Sequence, residues 1–253
     1  MDKPEISIIL PTLNESGNIS HMIDRLEAAV AGVIEIIVVD DGSYDGTIKE
    51  AEHKKTQYGN VVLEVRRSPD GLTGAIQKGI DIAKGDIIVW MDADMSMPPE
   101  NLPLLINKVK NDGFDVAVGS RFVEGGMDLA GDVRSLVIRL HRKTTRIFNC
   151  LAKCLSGVDF GDWTSGFIAI RRDVIKGTRL RGYYGEYFIY LVGALVKSGA
   201  KVVEIPYTCG PRTAGYSKTT ATASFFLKNS IRYTLALLRV RKMGSRKCAE
   251  GLH

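Results

Sequence analysis

The sequence predicts an α/β fold built around one mostly parallel β-sheet. Over roughly the first 120 residues, short runs rich in Ile and Val alternate with segments whose apolar residues recur at helical spacing, which is typical of βα units. Each helical segment opens at a residue suited to capping or at a proline. With 253 residues, of which 45% are hydrophobic and 25% charged, the chain can bury one sizeable core.

The first half of the chain is predicted to hold five strands separated by four helices. The strands are Glu5–Leu10, Ile34–Asp40, Asn60–Arg66, Asp86–Met91 and Asp115–Gly119. The helices are Asn18–Ala31, Thr47–Tyr58, Leu72–Ala83 and Pro99–Asn111. Ligands in such sheets bind at the carboxyl ends of the strands, so the residues that follow these strands are the candidates for function.

Beyond Arg121 the pattern becomes less regular. A glycine-rich loop, Glu124–Gly131, precedes a basic amphipathic helix over about residues 135–155. The helical stripe of that segment consists of Val137, Leu140, Thr144, Ile147, Leu151 and Leu155. A strand at Gly166–Ile170, a helix at Glu186–Lys197 and a strand at Lys201–Tyr207 are predicted to complete the core.

A last amphipathic helix is predicted over roughly Thr222–Arg239. Its apolar residues are Phe225, Phe226, Leu227, Ile231, Leu235 and Leu238. The chain is therefore expected to divide into a catalytic domain, residues 1–218, and a basic amphipathic helix with its tail, residues 219–253.

Composition argues against several classes of protein. The cysteines, Cys150, Cys154, Cys209 and Cys248, form neither a framework of short secreted spacings nor a CxxC pair, so neither disulfides nor a zinc site is predicted. The longest uninterrupted apolar stretch, Phe188–Val196, is far shorter than the roughly 20 residues of a spanning helix. We therefore expect a cytoplasmic protein; the basic amphipathic helices, discussed below, are the reason to expect it as a peripheral protein at the cytoplasmic face of a membrane.

The net charge of +5 is modest, but its distribution is uneven. Two long stretches, between Asp132 and Asp159 and between Glu204 and Glu250, contain Lys and Arg but no acidic residue. An anionic surface or substrate is therefore expected nearby. The basic stretches carry no RNA-binding aromatic motif and no recognition-helix signature, so no nucleic-acid partner is predicted.

Polar residues follow four of the predicted strands. These strand ends are Pro11–Glu15, Asp40–Ser43, Arg66–Gly74 and Asp92–Asp94. Because they should meet at one edge of the sheet, they predict a pocket. The carboxylates of Asp92 and Asp94 could hold a hard divalent cation that neutralises a diphosphate. The alternative is that one of them only caps the helix that opens near Pro98, but the three neighbouring polar strand ends favour the functional interpretation.

The turn Asp40–Ser43 offers carboxylates for a base or a ribose. It continues into Asp45–Thr47, and a simple capped turn would use the same residues. The preceding strand ends at the same edge as Asp92, which favours a ligand role for Asp41. The segment Gly71–Gly74 is too short for a phosphate loop, and the chain lacks both GxGxxG and GxxxxGK[ST]. Dinucleotide-binding and P-loop proteins are therefore disfavoured.

Five motifs together resemble one known family. They are Ile9–Glu15, Val38–Ser43, Asp92–Ser96, Val118–Arg121 and Arg212–Lys218. As a set they resemble the inverting glycosyltransferases of GT-A fold, and among these the dolichyl- and polyprenyl-phosphate mannosyltransferases (dolichol-phosphate mannose synthases), over about residues 5–220. The resemblance implies a Rossmann-like nucleotide-sugar-binding fold with a C-terminal helix and a metal-dependent hexosyltransferase activity.

The same resemblance implies roles for individual residues. The base and its ribose would be surrounded by Pro11, Leu13, Glu15, Val39 and Asp41. The ribose, diphosphate and metal would face Asp92, Ala93 and Asp94, and the diphosphate or the acceptor phosphate would lie near Arg172, Arg212 and Lys218. The acceptor phosphate would contact Arg121, Arg134 and Ser135. Asp94 and Arg121 are the expected catalytic residues.

The expected cofactor is Mg²⁺ or Mn²⁺ held by Asp92, Asp94 and Ser96, where Ser96 stands at a position that Gln can occupy as a third metal ligand. Leu13 stands where an aromatic residue is common. The segment Asp162–Phe167 is similar to the acceptor-side segment of the family, with a core position for Trp163 as the alternative.

The predicted reaction transfers a hexose, with mannose from GDP-mannose favoured, to dolichyl or polyprenyl phosphate with inversion. A phosphate monoester is already anionic near neutral pH, so it can attack the anomeric carbon without a strong general base. The alternatives are a UDP-glucose donor, a protein or polysaccharide acceptor, or a nucleotide-sugar-binding subunit without turnover.

The two basic amphipathic helices fit binding at a membrane surface, because cationic residues are drawn to anionic headgroups. Packing of both apolar stripes on the sheet is the alternative. Some relatives in the family carry a spanning segment after the catalytic region, so a separate membrane-anchoring subunit is a further expected partner.

Overall fold

A seven-stranded β-sheet forms the centre of the computed structural model, which describes residues 3–130, 136–212 and 223–243. The strands are β1 (Ile6–Thr12), β2 (Ile34–Asp40), β3 (Val61–Val65), β4 (Ile87–Trp90), β5 (Val116–Ser120), β6 (Met127–Asp128), β7 (Ile168–Arg171), β8 (Val202–Pro206) and β9 (Thr208–Cys209). The helices are α1 (Ile19–Ala29), α2 (Thr47–Tyr58), α3 (Leu72–Ile82), α4 (Leu102–Lys110), α5 (Leu136–Ser156), α6 (Arg172–Ile175), α7 (Glu186–Lys197) and α8 (Ala223–Lys242).

The strand order in the main sheet is β3-β2-β1-β4-β7-β5-β8. All neighbouring pairs are parallel except those of β7, which runs antiparallel to both β4 and β5. The predicted α/β fold with a mostly parallel sheet is therefore confirmed. Strands β6 and β9 form a separate parallel pair that was not predicted, because two-residue strands carry no periodic signal.

The central strands are buried on both faces, which explains their continuous apolar runs. Every residue of β2 is buried. Alternate residues of β1 enter two cores: Ile8 faces the core shared with α1 and α4, and Ile9 faces the core shared with α3 and α7. A Cβ atom at Gly79 of α3 would lie 2.4 Å from the Ile9 side chain, so glycine permits the close approach of this helix to the sheet.

Helix α8 packs against α5 and α7 and belongs to the outer layer of the second core. Ala236, Leu237 and Val240 of α8 are buried, and a Cβ atom at Gly193 of α7 would meet Val240 at 2.5 Å. Within the described residues, no helix combines the length and the apolar character needed to cross a bilayer.

The predicted boundaries of β2, α2 and α7 agree with the structure at both ends. The helix predicted at Pro99–Asn111 begins instead with a 3₁₀ turn, Pro99–Asn101, before α4. The strand predicted at Gly166–Ile170 is displaced to Ile168–Arg171, since Gly166 takes a left-handed conformation with φ +73° that interrupts an extended strand.

Candidate active site

The carboxyl end of β2 forms a turn around Asp40. The buried carboxylate of Asp40 accepts hydrogen bonds from the backbone N–H groups of Gly42 (2.9 Å) and Ser43 (2.7 Å). It also accepts from the hydroxyls of Thr12 (3.0 Å) and Ser43 (2.6 Å). Asp40 therefore shapes the turn, and its carboxylate is engaged by hydrogen bonds within it.

Asp41 is paired with an arginine from the adjacent strand end. Arg66, directly after β3, donates from Nε to Asp41 Oδ1 at 2.6 Å and from Nη2 to the carbonyl oxygen of Gly71 at 3.0 Å. Its Nη1 also contacts Asp70. The sequence indicated Arg66 only as the start of a polar strand end. Its position directly after a parallel strand was the available signal that it would reach the same edge as Asp41.

The loop after β1 is joined to the turn after β2. The backbone N–H of Asn14 donates to Ser43 Oγ at 2.7 Å, and that of Glu15 donates to Thr47 Oγ1 at 2.8 Å. Asn14 has φ +55°, which is unusual for a residue other than glycine. Pro11 and Val39 are register partners in the sheet. These loops therefore bring the predicted base-binding residues to one edge; that set is Pro11, Leu13, Glu15, Val39 and Asp41.

The segment Asp92–Asp94 follows β4 at the same edge. Asp94 is buried; its Oδ1 accepts a hydrogen bond from the backbone N–H of Ser96 at 3.0 Å, and its Oδ2 pairs with Arg212 Nη2 at 2.8 Å. Met95 has φ +69° and so lies in a strained conformation beside this pair. The alternative that Asp92 or Asp94 caps the following helix is wrong, because the cap positions are held by Pro98 and Asn101.

Negative charge predominates around Asp92. Burial and the adjacent carboxylate of Asp94 raise the pKa of Asp92 to about 7, and Glu15 acts in the same direction. Arg212 and Arg121 act in the opposite direction without cancelling the effect. A divalent cation at this place would relieve the repulsion between the carboxylates.

The residues present fit a hard divalent cation. Asp92 and Asp94 offer carboxylate oxygens and Ser96, which is buried beside them, offers a hydroxyl. Among the residues that the structure describes, no group of three or more His, Cys, Asp and Glu side chains could hold a metal. Coordination of Mg²⁺ or Mn²⁺ here would therefore have to be completed by water or by the oxygens of a bound diphosphate.

Arg121 follows β5 and is held by hydrogen bonds to Asp162. Its backbone N–H and Nε donate to Asp162 Oδ2 at 3.0 and 2.8 Å, and its Nη2 donates to Asp162 Oδ1 at 2.8 Å. Burial opposes the charge of the guanidinium, but the carboxylate of Asp162 outweighs it and holds the pKa of Arg121 well above its ordinary value. The sequence did not identify Asp162 as the partner of Arg121, because the two lie on segments separated by α5.

Of the remaining expectations for the site, the structure bears on the one for Trp163. Trp163 is fully buried, and its indole N–H donates to the carbonyl oxygen of Phe160 at 3.0 Å, so it occupies a core position. Arg134, Ser135 and Lys218 lie outside the described residues.

The prediction that Arg172 lies near the diphosphate is wrong. Its guanidinium donates to the carbonyl oxygens of Ala83 (2.7 Å) and Lys84 (2.6 Å), which precede β4 at the opposite edge of the sheet. Arg172 follows β7, and because β7 is antiparallel to its neighbours, its carboxyl end lies where the parallel strands begin. The sequence pattern did not reveal this reversal of direction.

Comparison with known proteins extends this description. The sequence model of Glycosyl transferase family 2 matches residues 7–191. The chain is 38% identical, over 85% of its length, to a dolichol-phosphate mannosyltransferase of Pyrococcus furiosus, and it spans 59% of the length of that relative. It is 35% identical to a polyprenol monophosphomannose synthase of Mycolicibacterium smegmatis, over 83% of this chain and 79% of the relative.

A solved structure gives the same fold at lower identity. The glucosyl-3-phosphoglycerate synthase of Mycobacterium tuberculosis, solved with Mn²⁺, uridine diphosphate and glucosyl-3-phosphoglycerate, superposes with a TM-score of 0.65 at 21% identity. The superposition covers 95% of this chain and 81% of the other. The extent of the family match and the identities of the two relatives show that this chain belongs to Glycosyl transferase family 2.

Proposed function

We propose that the protein transfers mannose from GDP-mannose to dolichyl or polyprenyl phosphate with inversion at the anomeric carbon. The observation that carries this proposal is that Arg212 pairs with Asp94 at 2.8 Å, while Arg212 and Arg121 both act to lower the pKa of the neighbouring Asp92. A sugar transfer between two phosphates needs one cationic group for the leaving diphosphate and another for the incoming phosphate. The names of the two relatives support this choice of substrates.

The donor is assigned to the edge formed by the ends of β1, β2 and β4. The carboxylate of Asp41, held in place by Arg66, would accept hydrogen bonds from the N–H groups of the base, while Pro11, Leu13 and Val39 would pack beside it. Arg212 would bind the diphosphate, because a guanidinium matches phosphate oxygens in a bidentate manner. Lys218 belongs to the same proposal on the basis of its motif alone.

The metal belongs to the donor site. Asp92 and Asp94, with Ser96, would hold Mg²⁺ or Mn²⁺, which supplies charge neutralisation for the departing diphosphate. Support comes from the raised pKa of Asp92, which reflects first its burial and then the repulsion of the neighbouring Asp94 carboxylate.

The acceptor phosphate is assigned to Arg121, with Arg134 and Ser135 from the adjoining segment. An oxygen of the phosphate forms a bond to the anomeric carbon as the bond from that carbon to the diphosphate breaks, and the diphosphate leaves with the electron pair. The attacking oxygen is already anionic near neutral pH, so no side chain has to remove a proton. Asp94 and Arg121 contribute by placing the two phosphate groups in line.

We assign the contact with the membrane surface to the outer faces of α5 and α8. Ile147 and Leu151 of α5 are 59% and 54% exposed, and Ile231 and Leu235 of α8 are 53% and 47% exposed. Basic residues accompany them on both helices; those described as exposed include Arg139, Lys143, Arg146, Lys153, Arg239, Arg241 and Lys242. Apolar residues flanked by cationic side chains fit an anionic bilayer at the cytoplasmic face.

The same observation bears on the expected division of the chain. The inner side of α8 packs on α7, whereas Ile231, Leu235 and Leu238 face outward. We propose that residues 1–218 carry the catalysis and residues 219–253 the membrane contact, either with lipid directly or with a membrane-anchoring subunit.

The test is transfer of radiolabelled sugar into organic-extractable lipid. The protein is incubated with dolichyl phosphate and either GDP-mannose or UDP-glucose, with Mg²⁺ or Mn²⁺ present or chelated. We expect metal-dependent label from GDP-mannose. Label from UDP-glucose alone would reassign the sugar, and nucleotide binding without label from either donor would favour another acceptor or a non-catalytic nucleotide-sugar-binding subunit.

A further inference from the structure

The hydroxyl of Thr164 lies at the junction of three polar groups on the acceptor side of the site. Its Oγ1 accepts hydrogen bonds from Arg121 Nη2 at 2.8 Å and from Asn149 Nδ2 at 3.2 Å. It donates to Asp162 Oδ1 at 3.1 Å. A hydroxyl has one hydrogen to donate and two lone pairs, so the whole hydrogen-bonding capacity of Thr164 is used here.

Asn149 connects this junction to helix α5. Its side chain is buried; Nδ2 also donates to the carbonyl oxygen of Thr145 at 3.0 Å, and Oδ1 accepts from the backbone N–H of Trp163 at 2.7 Å. Because Trp163 is fully buried, the segment from Asp162 to Thr164 is fixed between α5 and the core.

Asp162 is fixed from the other side by β8. Its backbone N–H donates to Glu204 Oε1 at 2.9 Å, and that of Gly161 donates to Glu204 Oε2 at 2.7 Å. The edge of the Arg121 guanidinium that carries Nε and Nη2 is therefore held in one plane. The remaining nitrogen, Nη1, has a weaker contact, 3.9 Å from Asp128 Oδ2.

We propose that Thr164 is a positioning residue for the lipid-phosphate acceptor. It holds the Nε and Nη2 edge of Arg121 in place, so that Nη1 is the atom that binds the incoming phosphate. This inference rests on the proposed function, since it assumes that Arg121 binds the acceptor. It also joins the phosphate-binding group, through Asn149, to the helix whose outer residues Ile147 and Leu151 are proposed to face the bilayer.

The matched variants are Thr164→Val, which removes the hydroxyl at nearly the same volume, and Thr164→Ser, which keeps it. For Thr164→Val we expect the KM for polyprenyl phosphate to rise about tenfold, because a hydrogen bond to a charged group is lost. The KM for GDP-mannose and the kcat at saturating acceptor should stay within about twofold of wild type. Thr164→Ser should restore the KM for the acceptor.

A second background tests whether the effect passes through Arg121. In the variant Arg121→Lys, which lacks Nη2, the additional change Thr164→Val should alter the acceptor KM by less than about twofold, since coupled residues are non-additive. An additive loss would overturn the proposal. So would an equal change in the KM values of both substrates, or a Thr164→Ser variant as impaired as Thr164→Val.

If Thr164→Val does not fold, Asn149→Ala is the variant that tests the proposal. It removes the link to α5 and should raise the acceptor KM while leaving the donor KM unchanged; no change in the acceptor KM would overturn the proposal. Wild-type protein that transfers no sugar to polyprenyl phosphate would overturn the proposed function together with this inference. Transfer by wild type with no effect of Thr164→Val would overturn this inference alone.

Discussion

The proposed donor and acceptor sides of the site differ in how their charges are balanced. On the donor side, Asp92 and Asp94 stand next to each other, and the pKa of Asp92 is raised to about 7 because burial and mutual repulsion oppose its charge. On the acceptor side, Arg121 is paired with the buried Asp162, and the pKa of Arg121 is held well above its ordinary value.

This difference indicates that the two sides contribute differently to activity and to stability. The excess negative charge on the donor side favours the binding of a cation. Without a cation, the repulsion between the carboxylates lowers the stability of the folded state. Neutralised charges on the acceptor side give a rigid arrangement that contributes to the fold and holds Arg121 in one orientation. Substitutions on the donor side should therefore affect activity more than stability, and those on the acceptor side should affect stability more directly.

The largest effect is expected for Asp94→Ala. Loss of this carboxylate should lower sugar transfer about a thousandfold, because it would remove a ligand of the divalent cation that would neutralise the leaving diphosphate. The matched control is Asp86→Ala, an exposed residue before the start of the same strand, which should stay within about twofold of wild type. Activity of Asp94→Ala within about tenfold of wild type would contradict the proposed role.

The next effect concerns stability on the acceptor side. Asp162→Ala leaves the guanidinium of Arg121 buried without its partner, so the free energy of unfolding should fall by about 3–5 kcal/mol. Asp128→Ala is the control, because the Asp128 carboxylate lies 3.9 Å from Arg121 Nη1, beyond hydrogen-bond distance, and Arg121 keeps Asp162 in this variant, so the loss should be clearly smaller. Urea denaturation measures both, and equal losses for the two variants would remove the distinction between the two sides.

On the proposed donor side, the meeting of the polar strand ends at one edge could be predicted from the sequence because of the sheet topology. The ends of β1, β2 and β4 follow from consecutive βα units, and parallel strands of such units must end at one edge. The polar motifs at Asp41 and Asp92–Asp94 could therefore be placed together without knowledge of any side-chain contact. The charge balance between Asp92 and Asp94 required the structure, because it depends on their burial.

The acceptor side could be predicted only in part. Arg121 was identified from its motif, but its partner Asp162 comes from a segment that follows the long helix α5. Strand β7 then runs against its neighbours, which carries Arg172 to the opposite edge. Local periodicity contains no information on the direction of a strand, so neither the Asp162 contact nor the position of Arg172 could be derived from it.

A smaller effect is expected within the base site. Arg66→Ala leaves Asp41 without the guanidinium that holds its carboxylate, so the KM for the nucleotide sugar should rise about tenfold while the acceptor KM is unchanged. The neighbouring Arg67 is exposed and provides the control, since Arg67→Ala should change neither value. A parallel rise in both KM values for Arg66→Ala would show that the two sides are not independent.

The smallest effect is a pH dependence of the metal-free protein. Because the pKa of Asp92 is about 7 in the folded state, against an ordinary value of 3.8, its contribution to stability is complete below pH 3.8 and is lost as the pH rises to 7. Asp92→Asn removes that loss. With a chelator present, urea midpoints should be similar for Asp92→Asn and wild type at acidic pH, and higher for Asp92→Asn at pH values above the folded-state pKa.

Addition of Mg²⁺ or Mn²⁺ separates this effect from a simple change in packing. Above the folded-state pKa, a bound cation should stabilise the wild type, because a ligand that binds only the folded state shifts the unfolding equilibrium. The stabilisation should be much smaller for Asp92→Asn, which offers one carboxylate fewer. A constant difference between the two proteins at every pH, unaltered by metal, would mean that the carboxylate pair does not carry the excess charge that distinguishes the donor side from the acceptor side.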